Sequence, residues 1–165
     1  MAIARTLRHL FAMRAGTRRR FTDAVDATIE SAIRAAESRS SAEIRFVIET
    51  ALDLPELWAG VTPRARALQV FSALSVWDTE LRNGVLIYVL AADRNVEIVA
   101  DRGAATRISP IEWESACRLI EDHFRAGRFM EGSVAGVEAV GRLLEREFPA
   151  RSGDRDELPN QPSLL

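Results

Sequence analysis

The chain has 165 residues, of which 47% are hydrophobic and 28% are charged, and its net charge is −2. This balance predicts one folded domain with a hydrophobic core and excludes a disordered chain or a fibre. All 22 basic residues are arginines, and there are two histidines and one cysteine. A Schiff-base lysine, a Walker A phosphate loop and a cysteine-rich zinc site are therefore excluded.

The first 20 residues form a basic arm with six arginines and no acidic residue. An apolar row at helical spacing, Ile3, Leu7, Leu10 and Phe11, makes this arm amphipathic. Arginines interrupt the row, which is unlike a secretory signal, and no segment is long and apolar enough to span a membrane. Two interpretations remain, a disordered solvated arm and a helix that lies on an anionic membrane surface.

Residues 21–150 are predicted to form the folded domain, and residues 151–165, with Pro159 and Pro162, a disordered tail. The domain has 14 arginines and 21 acidic residues, a net charge of −7. Such a surface repels phosphate backbones, so nucleic acid is not expected as a partner of the chain outside the basic arm. The single Cys117 cannot form an intramolecular disulfide, and a cytoplasmic location is therefore expected.

The first half of the domain is predicted to contain a helix, a strand and a second helix. Thr22 is a suitable N-cap for a helix that ends near Glu37, and apolar residues alternate over 43–50 as in a strand. A loop over 52–61 follows. Thr62 then caps a helix that begins with Pro63 and ends near residue 77.

The second half is predicted to contain a hairpin and two helices. Residues 85–91 are continuously apolar, as in a central strand, and a turn at 93–95 leads into an antiparallel partner over 96–100. A capping box over 109–112 opens one helix, which stops near Gly127, and the last helix runs over 129–148. In this last helix Gly132 and Gly136 allow a neighbouring helix to approach closely.

The predicted order of elements is α-β-α-β-β-α-α. A right-handed crossover makes the first two strands parallel, and the hairpin makes the third antiparallel to the second. The fold class is therefore α/β, a three-layer α/β/α sandwich with a small mixed sheet.

This topology brings the start of the first strand, the start of the second and the end of the third to one edge of the sheet, which we call the first rim. It carries side chains with oxygen ligands, Glu43, Asp78, Glu80, Asn83 and Asp101. Hard cations such as Ca²⁺ or Mg²⁺ prefer such ligands, so these five residues are the predicted metal site. The alternative interpretation is that they are solvated loop residues, some of them paired with Arg82 or Arg102. The opposite rim carries Asp53, Glu56 and Asp93.

Other candidates for chemistry are few. His123 is interpreted as a partnered residue at the surface or boundary, and Cys117 as a small core residue on an apolar helix stripe. Because His123 is the only candidate base in the domain, a Ser-His-Asp hydrolase is not supported. No organic cofactor is expected, and the catalytic residues stay unassigned.

Three stretches resemble a known family. They are SAEIRFVIE at 41–49, RNGVLIYVLAADRNVEIVADRGAATRI at 82–108 and FRAGRFMEGSVAGV at 124–137. The middle stretch is the most specific, with an Asn-Gly pair before a buried strand, an Asp-Arg turn and a second strand with a glycine after it. Over 41–149 the chain resembles the TPM domain family, as a short bacterial member without a signal peptide or membrane anchor.

The resemblance implies an α/β/α sandwich, binding of divalent cations, and an association with membrane proteins or their maintenance. From this resemblance, Asn83, Asp93 and Asp101 are carried over individually as candidate site residues. Acid phosphatase activity is attributed to a plant member, and the family has no agreed reaction. The exit of the third strand departs from the family pattern, because it reads Asp101-Arg102-Gly103 where a Gly-Tyr-Gly type is common.

Two functions follow as expectations. The first is a non-catalytic binding module, cytoplasmic or membrane-peripheral, that holds a cation at the first rim and contacts a protein partner. The alternative is a divalent-metal-dependent phosphatase, in which the metal activates water and a carboxylate of the first rim is the base.

Overall fold

The computed structural model describes residues 2–11, 17, 21–153 and 155–165. The helices are α1 (Ala2–Phe11), α2 (Asp23–Glu37), α3 (Leu54–Trp58), α4 (Pro63–Ala73), α5 (Arg102–Arg107), α6 (Pro110–Arg125) and α7 (Phe129–Glu147). The strands are β1 (Ile44–Glu49), β2 (Val85–Leu90), β3 (Asn95–Ala100) and β4 (Ser163–Leu164).

The four strands form one mixed sheet in the order β3-β2-β1-β4. β1 runs parallel to β2, with Ile44 opposite Val85, and β2 runs antiparallel to β3, with Val85 opposite Ala100. These registers confirm the predicted crossover and hairpin. They also place the start of β1, the start of β2 and the end of β3 at one edge of the sheet.

One face of the sheet carries the larger core. Helices α2, α6 and α7 pack there against side chains such as Phe46, Ile87 and Ile98. Close contact between α6 and α7 depends on the two predicted glycines, since a Cβ on Gly132 would lie 2.6 Å from the Cβ of His123. A larger residue at this position would push the two helices apart.

The other face is covered by α4. Ala67 and Val70 of this helix pack against Val47 and Tyr88 of the two central strands. Because both faces of β1 and β2 are covered, both strands are buried at every residue, as their apolar sequences predicted. The molecule is thus the three-layer α/β/α sandwich expected from the sequence.

The predicted helix starts are confirmed. Thr22 and Thr62 accept hydrogen bonds from the backbone N–H groups of Val25 and Ala65, and Ser109 forms a capping box with Glu112. The end of α4 differs, because it stops at Ala73 and a turn with Ser75 at φ 52° follows. The predicted loop over 52–61 contains the short helix α3.

The C-terminal segment differs from the expected disordered tail. β4 pairs in parallel with β1, and Leu158 and Asn160 are buried. Arg45 of β1 holds this segment by donating to the carbonyl oxygens of Pro159 and Gln161 and to the hydroxyl of Ser163. The prediction failed because the prolines suggested disorder, whereas the segment satisfies an arginine that is buried inside the sheet.

The N-terminal arm forms helix α1 over Ala2–Phe11. This helix packs against the opposite rim of the sheet. Arg5, Arg8 and His9 lie within ion-pair distance of Asp93. The interpretation of residues 12–16 and 18–20 as a solvated arm lies outside the described residues. Among the helices that the structure describes, none has the length and apolar character needed to cross a membrane.

Candidate metal centre

The five residues of the predicted metal site lie at the first rim but do not form one group. Asp78 and Asp101 line a cleft of about 460 Å³ together with Trp77, Arg82 and Arg102. The Asp101 carboxylate caps α5 by accepting the backbone N–H of Arg102 at 2.7 Å. The phosphatase alternative, in which a carboxylate of the first rim is the base, stays a prediction.

Asn83 and Glu80 have other surroundings. Asn83 is fully buried, and its side-chain amide donates to the carbonyl oxygen of Ser41 at 2.6 Å. Glu80 is exposed, and its backbone N–H donates to the carboxylate of Glu157 at 3.1 Å. Asn83 therefore anchors the loop before β2 to the segment before β1, while the Glu80 carboxylate points away from the core.

Glu43 lies in a different cluster, which sequence reasoning did not assemble. Carboxylate oxygens of Glu37, Glu43 and Asp156 all lie within 4.8 Å of one another. In the described part of the chain, this is the only such group of three or more histidine, cysteine, aspartate or glutamate side chains. Two oxygens that both contact Ca²⁺ at about 2.4 Å are at most about 4.8 Å apart, so the three carboxylates suit one cation.

The fold positions two members of this carboxylate cluster, Glu37 and Glu43, through backbone contacts. Glu37 is the last residue of α2, and its Oε1 accepts the backbone N–H of Ile44 at 2.8 Å. Glu43 precedes β1, and its Oε2 accepts the backbone N–H of Leu158 at 3.2 Å. Asp156 belongs to the C-terminal segment. The cluster is therefore assembled from a helix end, a strand start and the segment that leads to β4.

Burial makes the charged forms of these carboxylates unfavourable. Loss of hydration is the main cause that raises the pKa of Glu37 from 4.5 to about 8, and the neighbouring Glu43 and Asp156 add repulsion. Burial likewise raises the pKa of Glu43 from 4.5 to about 7, against hydrogen bonds from backbone N–H groups. The surroundings of Glu37 and Glu43 therefore do not fully compensate the cost of the charged forms, and protons bind these two carboxylates more readily than in water.

Arginines also line the cleft that contains the carboxylate cluster. This cleft has a volume of about 310 Å³, and its lining includes Arg34, Arg151 and Arg155. Arg34 is engaged by Glu30 at 2.7 Å. Among the ion pairs formed by described residues, none brings an arginine within 4.0 Å of the Glu37, Glu43 or Asp156 carboxylate.

Asn160 adds a neutral oxygen at the same cleft. Its side chain is 6% exposed, and its amide nitrogen donates to Asp156 at 3.1 Å. The other polar atom of this side chain, the amide oxygen Oδ1, is buried and has no hydrogen-bond partner. A buried carbonyl oxygen without a donor is costly, and a cation would satisfy it. The three carboxylates are ligands that a hard divalent cation prefers, and Asn160 lines the same cleft.

The missed ligands carry only weak sequence signals. Glu37 was interpreted as the end of an amphipathic helix, and Asp156 and Asn160 lie in the segment that was expected to be disordered. One signal was available, because Arg45 stands in a strand whose other residues are almost all apolar. A buried arginine needs several acceptors, and these come from the C-terminal segment.

Two other candidate residues, Asp93 and Cys117, have structural roles. Asp93, which matches the family pattern, holds α1 at the opposite rim through Arg5 and His9. Burial alone would raise the pKa of Asp93, but hydrogen bonds from Arg5 and His9 lower it. Cys117 packs against the larger core, and burial raises its pKa to about 12, so it is a poor nucleophile.

Comparison with known proteins gives consistent results. The family model of the TPM domain matches residues 18–143. A similar solved structure is the NMR structure of BA42 from the psychrophilic bacterium Bizionia argentinensis, with 35% identity and a TM-score of 0.77. The match covers 87% of this chain and 94% of that chain.

A more distant structure shares the fold. It is the N-terminal domain of a protein from P. gingivalis, with 22% identity and a TM-score of 0.58, and the match covers 77% of this chain and 78% of that chain. No curated protein matches the chain.

Proposed function

Since the chain belongs to the TPM domain family, we propose that it is a non-catalytic binding module that holds a divalent cation, Ca²⁺ or Mg²⁺, at the carboxylate cluster. The observation that carries this proposal is the convergence of Glu37, Glu43 and Asp156 within 4.8 Å. The buried amide oxygen of Asn160 supports it independently. A cation would neutralise charge that burial makes unfavourable and would supply the partner that Asn160 lacks.

Occupancy of this site is coupled to the C-terminal segment. Glu37 and Glu43 belong to the domain body, whereas Asp156 and Asn160 belong to the segment that leads to β4. A cation held by both parts stabilises the docked segment by mass action, with about 2.7 kcal/mol gained at a concentration one hundred times the dissociation constant. The proposal includes a cytoplasmic location and a protein partner whose contact depends on this docked state.

The test is a calorimetric titration of Ca²⁺ and of Mg²⁺ into metal-free protein. We compare the wild type with Glu43→Gln/Asp156→Asn, because the amides keep the size of the side chains and an oxygen that accepts a hydrogen bond. The matched control is Asp78→Asn/Asp101→Asn, which removes the same number of charges from the first rim outside the cluster. The expected result is saturable binding that is weakened at least about tenfold in the first variant and unchanged in the control.

Two outcomes contradict the proposal. Absence of saturable binding at millimolar metal would exclude a useful cation site. Binding that survives Glu43→Gln/Asp156→Asn and is lost in the control would move the site to Asp78 and Asp101. Thermal unfolding of both variants without metal verifies that each is folded.

A further inference from the structure

We propose that α1 is a docking surface for anionic lipid bilayers, with its apolar side facing the membrane. The inference starts from an unusual orientation. A surface helix normally buries its apolar side and exposes its polar side. In α1 the polar side faces the domain, and the apolar side faces outward.

The polar side of α1 is held by three contacts. His9 is buried, its Nδ1 accepts the backbone N–H of Leu52 at 2.9 Å, and its Nε2 lies 3.1 Å from Asp93. Arg5 donates from Nε to Asp93 at 2.9 Å. These contacts fix the rotation of the helix, so its orientation results from specific bonds to the opposite rim.

The outward side exposes large apolar side chains. Leu7, Leu10 and Phe11 are 47%, 56% and 77% exposed. Trp58, at the end of α3, is 78% exposed. Leu10 and Leu54 of α3 line one cleft, together with charged side chains such as Glu49, Asp53 and Arg66. Exposed leucine, phenylalanine and tryptophan side chains are typical of segments that insert into the interfacial region of a bilayer.

Charge favours a lipid surface over a second copy of the chain. Residues 1–20 have six arginines and no acidic residue. Anionic headgroups attract a segment with this net positive charge. A symmetric dimer through α1 would instead bring two arginine-rich segments together, which is unfavourable. At ten residues, α1 is too short to cross a bilayer and suits attachment parallel to its surface.

The experiment is co-sedimentation of the full chain with vesicles. One set contains phosphatidylcholine and phosphatidylserine, and the other contains phosphatidylcholine alone. We compare the wild type with Leu7→Gln/Phe11→Gln, which removes apolar surface without touching Arg5, His9 or Asp93. The matched control is Leu68→Gln/Ile111→Gln, which removes two exposed apolar side chains from α4 and α6.

We expect the wild type and the control to bind the phosphatidylserine vesicles. Leu7→Gln/Phe11→Gln should bind at least about tenfold more weakly, because two side chains no longer enter the bilayer. Binding of the wild type should also weaken with added salt and be weak on phosphatidylcholine alone. All variants should keep the wild-type thermal unfolding midpoint, since the substituted side chains are exposed.

Three results would overturn the inference. The wild type could stay in the supernatant with both kinds of vesicle. Leu7→Gln/Phe11→Gln could bind like the wild type. Analytical ultracentrifugation could show a dimer that is lost in Leu7→Gln/Phe11→Gln while no variant binds vesicles, which would assign α1 to a contact between two copies. None of these results depends on the cation site.

Discussion

At the scale of single residues, Asn83 links the loop before β2 to the segment before β1. It is fully buried, its side chain donates to the Ser41 carbonyl oxygen, and its backbone N–H donates to the Thr79 hydroxyl at 3.1 Å. We predict that Asn83→Ala lowers the free energy of unfolding by about 1–3 kcal/mol, because the Ser41 carbonyl would lose its donor inside the protein. Urea denaturation measures this change.

The control for this prediction is Asp78→Asn in the same loop. Asp78 is exposed, so its substitution should change the free energy of unfolding by no more than about 0.5 kcal/mol. A similar loss in both variants would show that the loop, rather than the buried amide, determines the effect.

Glycine at position 84 also follows from local geometry. A Cβ at Gly84 would overlap the carbonyl oxygen of Val76, which belongs to the turn after α4. The Asn-Gly pair at 83–84 thus combines a buried hydrogen bond with a close backbone contact. This gives the pair a structural role at the start of a central strand.

At the scale of elements, the C-terminal segment depends on Arg45. The guanidinium group of Arg45 is buried in the sheet and donates to two carbonyl oxygens and one hydroxyl of the segment. We predict that Arg45→Met releases β4 from β1, because these acceptors would be left without a donor. Hydrogen exchange should show faster exchange at the backbone N–H groups of Leu158 and Leu165.

A matched variant separates this effect from the general loss of an arginine. Arg118→Met removes an arginine from the exposed surface of α6, where it pairs with Glu114. Exchange at the C-terminal segment should stay at the wild-type rate in this variant. Unchanged exchange in Arg45→Met would mean that β4 pairing and the burial of Leu158 suffice to hold the segment.

Elements with strong local signals could be predicted from the sequence. Thr22, Thr62 and Ser109 mark helix starts through capping chemistry, and the apolar run over 85–91 marks a central strand. The set of strand ends that meet at the first rim could also be predicted, because the handedness of the crossover fixes which ends lie together. Each of these inferences uses residues that are close in sequence or a general rule of topology.

The candidate metal centre could not be predicted in this way. Its ligands come from the end of α2, the start of β1 and a segment more than 100 residues later in the chain. The alternation in β1 suggested that Arg45 faces away from the larger core, but it did not indicate what would cover the residue. Only the structure shows that a proline-containing segment closes the edge of the sheet and brings Asp156 to Glu43.

At the scale of the whole molecule, charge is divided between the arm and the body. Residues 1–20 carry +6, and residues 21–150 carry −7. Asp93 joins these two parts by contacting Arg5, Arg8 and His9 of α1. At the other end of the sheet, the carboxylate cluster concentrates negative charge, so the two rims differ in the ligands they can attract.

The buried carboxylates make the stability of the whole molecule depend on pH. Burial raises the pKa of Glu37 to about 8 and that of Glu43 to about 7, from 4.5 in the unfolded chain. At pH values between 4.5 and these raised pKa values, the folded protein binds more protons at Glu37 and Glu43 than the unfolded chain does. The contribution of these two carboxyl groups to the free energy of unfolding therefore decreases as the pH rises from about 4.5 to about 8.

We predict that Glu37→Gln/Glu43→Gln reduces this decrease, because glutamine does not titrate. The measurement is urea denaturation of metal-free protein between about pH 5 and about pH 8, for the wild type and the variant. The variant should lose less stability than the wild type over this range, so that the difference between the two curves changes steadily with pH. Parallel curves would show that the two carboxylates do not bind protons preferentially in the folded state. Ca²⁺ should raise the stability of the wild type most at the alkaline end, where protons no longer compete for the carboxylates.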